Sequence, residues 1–244
     1  MSGHSHAKTI KHLKEQTDKK RSQMFSKVTR LISVAVKAGG SNTETNSKLR
    51  MAIEQAKYFN MPKENVERAI KRAAGEGGEE QLEEVLFETF GPGGVAVLVE
   101  GITDNRNRTL GEIKQILNQN GGKLAGEGSV KWLFERKGTI MVDWKMQNAD
   151  LQNKEKIELI AIEAGADDIY RHDEVLDVYT KPDELEKVKK ILEEKGIKID
   201  SASLDWVAKE EIELNQEDKD ACQKLFDSLD ENDSVQEVYS NLKL

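Results

Sequence analysis

Phosphate oxygens are what the side chains at the start of this chain are best equipped to hold. His4, His6, Lys8, Lys11, His12, Lys14, Lys19, Lys20 and Arg21 crowd a stretch in which, up to position 20, Ile10 and Leu13 are the only large apolar residues after Met1. A stretch with so little to bury reads as an arm that orders on binding, and each phosphate that it neutralises releases counterions and adds affinity. Lys27, Arg30, Lys63, Arg68, Lys71 and Arg72 continue the basic set, with Lys48 and Arg50 between them. Arg68, Lys71 and Arg72 form its densest patch. Several of the others alternate with Glu54, Glu64 and Glu67 at helical neighbour spacing, as on any solvated helix face. No helix displays the Arg, Asn and Gln set that reads base edges, so contact through the nucleic-acid backbone or shape is expected. The arm's histidines lack the cysteine or carboxylate companions of a metal site, and no metal is expected there.

Further along, Asp104-Asn105-Arg106-Asn107-Arg108-Thr109 opens a helix. Asp104, Asn105 or Thr109 could cap it. Arg106 and Arg108, beside unpaired N–H groups of the first turn, make a candidate anion site. The two readings, cap with structural arginines and anion site, stand level. Gly91-Pro92-Gly93-Gly94 lacks the spacing of a phosphate-binding loop and precedes a strand, so a tight turn is expected. No catalytic residues are expected: nucleophile elbow, zinc-protease and Walker motifs are all missing. His172 is the only histidine beyond the arm. Cys222 sits in a helix beside Leu225 and Phe226 and reads as a small core residue.

These residues have to be positioned by elements that apolar spacing outlines. Met24, Phe25, Val28, Leu31, Ile32 and Ala35 mark a helix over 21–38, stopped by Gly39-Gly40. A second helix follows over 46–60, and a third begins at Pro62 and ends at Gly75. A glycine-rich linker, 75–80, comes next. The period then changes to strands at 84–90 and 95–101, a helix at 106–120 and a strand at 129–135. Residues 138–207 give strand 139–144, helix 154–164, strands 168–171 and 174–180, helix 183–195 and strand 197–207, the β-α-β-β-α-β order of ferredoxin-like domains. The tail offers strand 210–214, helix 216–229 and strand 234–239, too little for a sheet of its own. The expected fold class is therefore α+β: an N-terminal three-helix bundle and two α/β domains of ferredoxin-like character, the last inserted in the middle one. The expected domains are 1–78, the discontinuous 79–137 plus 208–244, and the inserted 138–207.

The charge follows the same division. Residues 1–78 carry 16 Lys and Arg against 7 Asp and Glu, a net of +9, whereas the remainder carries −17. A basic head on an acidic body points to a polyanionic partner for the head, with the acidic α/β domains left to meet a protein partner. One cysteine excludes an internal disulfide. No apolar run reaches the roughly 20 residues that a membrane-crossing helix needs, and no membrane partner is expected.

Several long motifs then carry a resemblance. Ser2-Gly3-His4-Ser5 with Ile10-Lys11-His12, Phe25-Ser26-Lys27, Asn60-Met61-Pro62-Lys63-Glu64-Asn65 with Glu67-Arg68-Ala69-Ile70-Lys71, Gly91-Pro92-Gly93-Gly94-Val95-Ala96, Asp104 to Thr109, Gly121-Gly122 and the ending Asn232 to Asn241 together resemble the YebC family. The resemblance covers essentially the whole chain. Its one departure is His6-Ala7-Lys8, where the family usually has a tryptophan about two residues after Gly-His-Ser, so any contact of that ring is not carried over. The resemblance implies a three-domain fold, no enzyme activity and no cofactor. It also implies one of two partners: promoter DNA, for a transcriptional regulator, or rRNA or tRNA, for a ribosome-associated factor that helps synthesis through proline-rich stretches. With the family opening beginning at Met1, a bacterial cytoplasmic protein or a mature chain is expected.

Overall fold

The computed structural model describes residues 18–76, 81–148, 151–172 and 175–243. Two compact units result: Phe134–Lys209, and the described residues up to Leu133 together with those from Glu210 onward.

The second of these units begins with three helices, α1 (Asp18–Gly39), α2 (Ser47–Tyr58) and α3 (Lys63–Lys71). Val28, Ile32, Ala35 and Val36 of α1 meet Leu49, Ala52 and Ala56 of α2 and Val66 and Ala69 of α3 in one small core. The spacing of these residues, three and four apart, gives each helix a single apolar stripe. Buried Asn46 joins the first two helices. Its side-chain oxygen accepts from the Leu49 N–H at 3.0 Å, capping α2, while its amide donates to the carbonyls of Ala35 and Gly40 at 2.8 Å each.

A four-stranded antiparallel sheet follows in the same unit: β1 (Glu83–Phe90), β2 (Ala96–Thr103), β3 (Lys123–Leu124) and β8 (Val235–Ser240), in the spatial order β3-β1-β2-β8. The tail strand β8 pairs with β2, although the whole of the other unit lies between them in sequence. Helices α4 (Arg106–Gln119) and α7 (Gln216–Asp230) bury Ile113, Leu117, Cys222, Leu225, Phe226 and Leu229 against Val85, Phe87, Val97 and Val99. Pro92–Gly94 is the expected tight turn between β1 and β2, with Gly93 and Gly94 both at positive φ.

The Phe134–Lys209 unit runs β4 (Phe134–Asp143), α5 (Lys154–Ala164), β5 (Asp168–Arg171), β6 (Val175–Thr180), α6 (Leu185–Glu194) and β7 (Ser201–Ala208). Its sheet order, β5-β6-β4-β7, is the ferredoxin-like arrangement, inserted in sequence between β3 and α7 of the other unit. Gly138 lets α6 approach, since a Cβ there would lie 2.9 Å from the Leu185 Cβ.

Two expected strands take another form. Residues 129–135 hold a single 3-10 turn, Lys131–Leu133, and the chain becomes extended only at Phe134, where β4 starts. The amide groups that would have paired with a neighbouring strand are taken by the side chain of Glu88. Residues 210–214 contribute one isolated bridge, Ile212 with Leu242, beyond the end of β8. Leu214 there packs onto the Gly93 turn, within 3 Å of where a Cβ would sit. The strand expected from 197 starts at Ser201, because Gly196, at φ 82°, closes α6 with a left-handed turn.

Candidate nucleic-acid interface

Helix α1 has two basic surfaces with different uses. At its start Lys20 and Arg21 are exposed, and the Arg21 guanidinium lies 5.5 Å from the centre of the Phe25 ring. One turn later the basic residues point inward. Lys27 is only 6% exposed, and its Nζ donates to the Asp230 carbonyl at 3.0 Å. Gln23 Nε2 donates to the carbonyls of Asp230 and Glu231 at 3.1 and 2.8 Å. Arg30 Nη1 donates to the carbonyls of Asp233 at 2.5 Å and Ile102 at 3.3 Å, and to Ser234 Oγ at 3.4 Å. Positions 23, 27 and 30 share one helix face. Most of the carbonyls that they meet belong to the last turn of α7 and the loop after it, where the last four carbonyls of a helix lack partners and the macrodipole is negative. A Lys and an Arg are the side chains that such an end attracts. Lys27 and Arg30, expected as nucleic-acid contacts, instead fasten the helical head to the sheet-bearing part of its unit.

Helix α3 starts with Pro62 at its N-cap and keeps its charge outside. Lys63 pairs with Glu67 at 3.5 Å, and Arg68 Nη2 donates to Asn65 Oδ1 at 3.1 Å. Lys71 and Arg72 are exposed on the last turn, just before Gly75 turns the chain at φ 114°. Arg68, Lys71 and Arg72 therefore form one solvent-facing basic cluster, with Val66 and Ala69 buried behind it. His4, Lys8, Lys11, His12 and Lys14 lie outside the described residues, as do residues 77–80 of the linker; Lys19 falls in the first turn of α1.

The candidate anion site is occupied by its own side chains. Asn105 is the cap of α4, accepting from the Arg108 N–H at 3.0 Å. Arg108 forks onto the Asp104 carboxylate and stands 3.7 Å from Glu112. The hydrogen bond from Arg108 holds the Asp104 carboxyl below its usual range, and the same contact raises the guanidinium. Arg106 lies 6.0 Å from the Phe87 ring centre. Beneath them the buried hydroxyls of Thr103 and Thr109 bond at 2.8 Å.

Two features carry little signal in the sequence. One is Glu88, a carboxylate in mid-strand that is only 7% exposed. Its oxygens accept from the N–H groups of Gly128, Val130 and Lys131 at 2.6, 2.6 and 2.7 Å, which fixes the loop leaving β3. Burial raises its pKa, but the three backbone bonds and the charge of Lys131 outweigh that and leave it below the usual carboxylate value. The other is Trp132, which ends that loop 64% exposed. Cys222 is fully buried, with its thiol pushed up to about 11 by burial and by Asp218. A thiol so far from ionising at neutral pH suits a core position. Among the described residues no group of three or more His, Cys, Asp and Glu is arranged to hold a metal, and no helix is long and apolar enough to cross a membrane.

Two models of known families match the chain on either side of residues 77–81. Residues 5–76 match the model of the TACO1/YebC protein N-terminal domain, and residues 82–242 match that of the TACO1/YebC second and third domain. The chain belongs to the TACO1/YebC family. Within that family, a probable transcriptional regulatory protein of Caldanaerobacter subterraneus subsp. tengcongensis is 46% identical over 244 residues, covering all of this chain and 99% of that protein. A relative of the same description from Aquifex aeolicus is 46% identical over 245 residues, covering all of this chain and 96% of its own length. A crystal structure of a conserved hypothetical protein from Aquifex aeolicus superposes with a TM-score of 0.86 at 44% identity, over 93% of this chain and 92% of that one. The TACO1/YebC fold expected from the motifs is thus the fold found.

Proposed function

We propose that this member of the TACO1/YebC family is a non-enzymatic regulator that binds nucleic acid through the backbone phosphates, with promoter DNA as the partner. The observation that carries the proposal is the sorting of basic residues on the head. Lys27 is buried and Arg30 half-buried, both bonded to backbone carbonyls, whereas Lys20, Arg21, Arg68, Lys71 and Arg72 are exposed at the surface. The names of the relatives support regulation of transcription. The head's net of +9 beside −17 on the rest disfavours approach of a polyanion anywhere but the head. The arm, from His4 to Lys14, would add further phosphate contacts at low cost in buried apolar surface.

The test is footprinting and salt titration on promoter fragments. Wild-type protein is expected to protect a defined segment at physiological salt, and equal protection of random DNA would sink the regulator reading. Replacing both Lys71 and Arg72 by Glu should lower affinity and reduce the slope of log K against log salt by roughly 2, at about 0.9 for each phosphate no longer neutralised. An unchanged slope would remove the end of α3 from the interface.

A further inference from the structure

We propose that Arg21 is a pre-oriented phosphate clamp on the basic head and that Phe25 is the residue that positions it. The inference rests on the nucleic-acid reading above and deepens it: one cation of the head acts through geometry as well as charge. The Arg21 guanidinium lies 5.5 Å from the centre of the Phe25 ring, one helical turn further along α1 and within reach of a cation–π contact.

The ring is anchored. Arg21, Phe25, Val28 and Ile32 follow one stripe of α1 at helical spacing. Val28 and Ile32 are fully buried in the core of the head, Phe25 is half-buried and packs against that core, and Arg21, at the outer end of the stripe, is exposed. The arginine therefore lies on an aromatic floor that the core holds still. At about 3.6 residues per turn, Arg21 and Phe25 stand roughly opposite Gln23, Lys27 and Arg30 around the helix. Those three meet the carbonyls at the end of α7 and in the loop after it, so Asp230, Glu231 and Asp233 lie on the other side of α1. Asp18 is the one acid in the sequence of α1, and Lys19, Lys20 and Arg21 follow it directly.

The contact leaves the donor edge of the guanidinium free. Arg108 and Arg171 fork onto Asp104 and Glu158, and Arg30 donates to backbone carbonyls. Arg21, among the described residues, has the Phe25 ring as its partner. A guanidinium is planar, so stacking occupies its face and none of its N–H groups. Its fork matches two oxygens of one phosphate, and such bidentate, charge-assisted bonds are about twice as strong as neutral ones. A side chain already laid on a ring has less rotamer freedom to lose when it binds. The clamp also stands on the basic head, where the division of charge directs a polyanion.

The experiment uses the full chain and a fluorescein-labelled DNA duplex of arbitrary sequence, since phosphate contacts do not depend on sequence, read by anisotropy over a salt series. Arg21→Lys keeps the charge and removes the fork; Phe25→Leu keeps an apolar side chain and removes the ring. Each should weaken binding by roughly 2- to 5-fold, the range set by a cation–π contact at an exposed site. Neither should change the salt slope, whereas Arg21→Gln should lower it by about 0.9, the value of one phosphate. Phe25→Tyr should bind as the wild type does. The double variant Arg21→Lys with Phe25→Leu should bind no worse than the weaker single one, because both remove the same contact. Wild-type affinity in Arg21→Lys or Phe25→Leu, an unchanged slope in Arg21→Gln, or full additivity in the double variant overturns the proposal. The Arg21 variants decide it even if Phe25→Leu unsettles the head, because Arg21 is exposed. A slope that Arg21→Gln leaves alone but the Lys71 and Arg72 replacements lower defeats the clamp and spares the proposed function. A wild type that binds no duplex defeats both.

Discussion

The attachment of α1 to the end of α7 can be tested with one substitution, Lys27→Met, which keeps most of the length of the side chain and removes its charge. The Lys27 ammonium is buried and donates to the Asp230 carbonyl. Loss of a hydrogen bond from a charged group costs about 1.5–3 kcal/mol. A second cost comes from the Asp230 side chain. Burial pushes that carboxyl up to about 6, while the charge of Lys27 pulls it down. At pH 7 the variant leaves a buried carboxylate without its main cation, bringing the total to about 2–4 kcal/mol. The assay is amide hydrogen exchange of α1 peptides, which reads local opening of the head. At pH 7 the protection of α1 should fall roughly 30- to 1,000-fold, at about 1.4 kcal/mol per factor of ten. Asp230 also fixes the pH dependence. Its folded pKa lies above its unfolded value, so the folded state takes up the proton first. Stability of the folded chain should therefore be greatest at low pH and be lost as pH rises through about 6, by up to about 3 kcal/mol between the two limits. At pH 5 the carboxyl is largely neutral, the second cost fades, and the Lys27→Met defect should shrink. A protection loss below about threefold at pH 7, or a defect as large at pH 5 as at pH 7, would refute the reasoning.

Further outcomes are expected elsewhere in the chain. Glu88→Gln should destabilise the β3 loop by about 2–4 kcal/mol, because an amide cannot accept all three N–H groups; protease nicking within 125–131 would report it, and resistance equal to wild type would contradict it. Glu88 has a depressed folded pKa, so its contribution is present above the unfolded value near 4.5 and lost as pH falls through the folded one; wild-type nicking in 125–131 should rise there, and a Glu88→Gln variant should show no such rise. Gly101→Ala should cost roughly 2–3 kcal/mol in urea melts, since its Cβ would lie 2.6 Å from the Ser234 carbonyl oxygen at the register break between β2 and β8. Cys222 should resist iodoacetamide at pH 8 until the protein unfolds, and rapid labelling of the native chain would show that its helix opens locally.

Local rules make much of this fold legible. The helices of the head and of both sheets carry their apolar stripes at helical spacing, and Asn46, Asn105, Asn153 and Asn215 cap four of them as short polar side chains do. The alternation over 138–207 is sufficient for the ferredoxin-like order. What escapes depends on partners far away in the chain. Residues 129–135 have strand-like composition, but Glu88, some forty positions earlier, takes their amides. Lys27 and Arg30 look like any other basic residue of the head until α7 is placed beside them, about 200 positions later. Their spacing with Gln23 is visible as a shared face, but nothing local says that the face meets a helix end. Arg106 and Arg108 are ambiguous in the sequence for a similar reason: only the placed side chains of Asp104, Glu112 and Phe87 account for them.

The pairing of β2 with β8 has a consequence for how the protein is made. A ribosome delivers the chain in order, and the Phe134–Lys209 unit holds all four of its strands within one contiguous stretch, so it can close as soon as it emerges. The other sheet cannot: β2 waits for a partner about 140 residues downstream, and α1 waits longer still for the helix end that receives Lys27. Partners at such separation are slow to meet and leave surfaces open in the meantime. Until the last few dozen residues are released, the head has no dock, and a chain truncated before α7 keeps Lys27 and Arg30 turned toward solvent. Completion of synthesis itself turns Lys27 and Arg30 into structural fasteners, so the finished head presents fewer uncommitted cations to solvent than its own nascent chain.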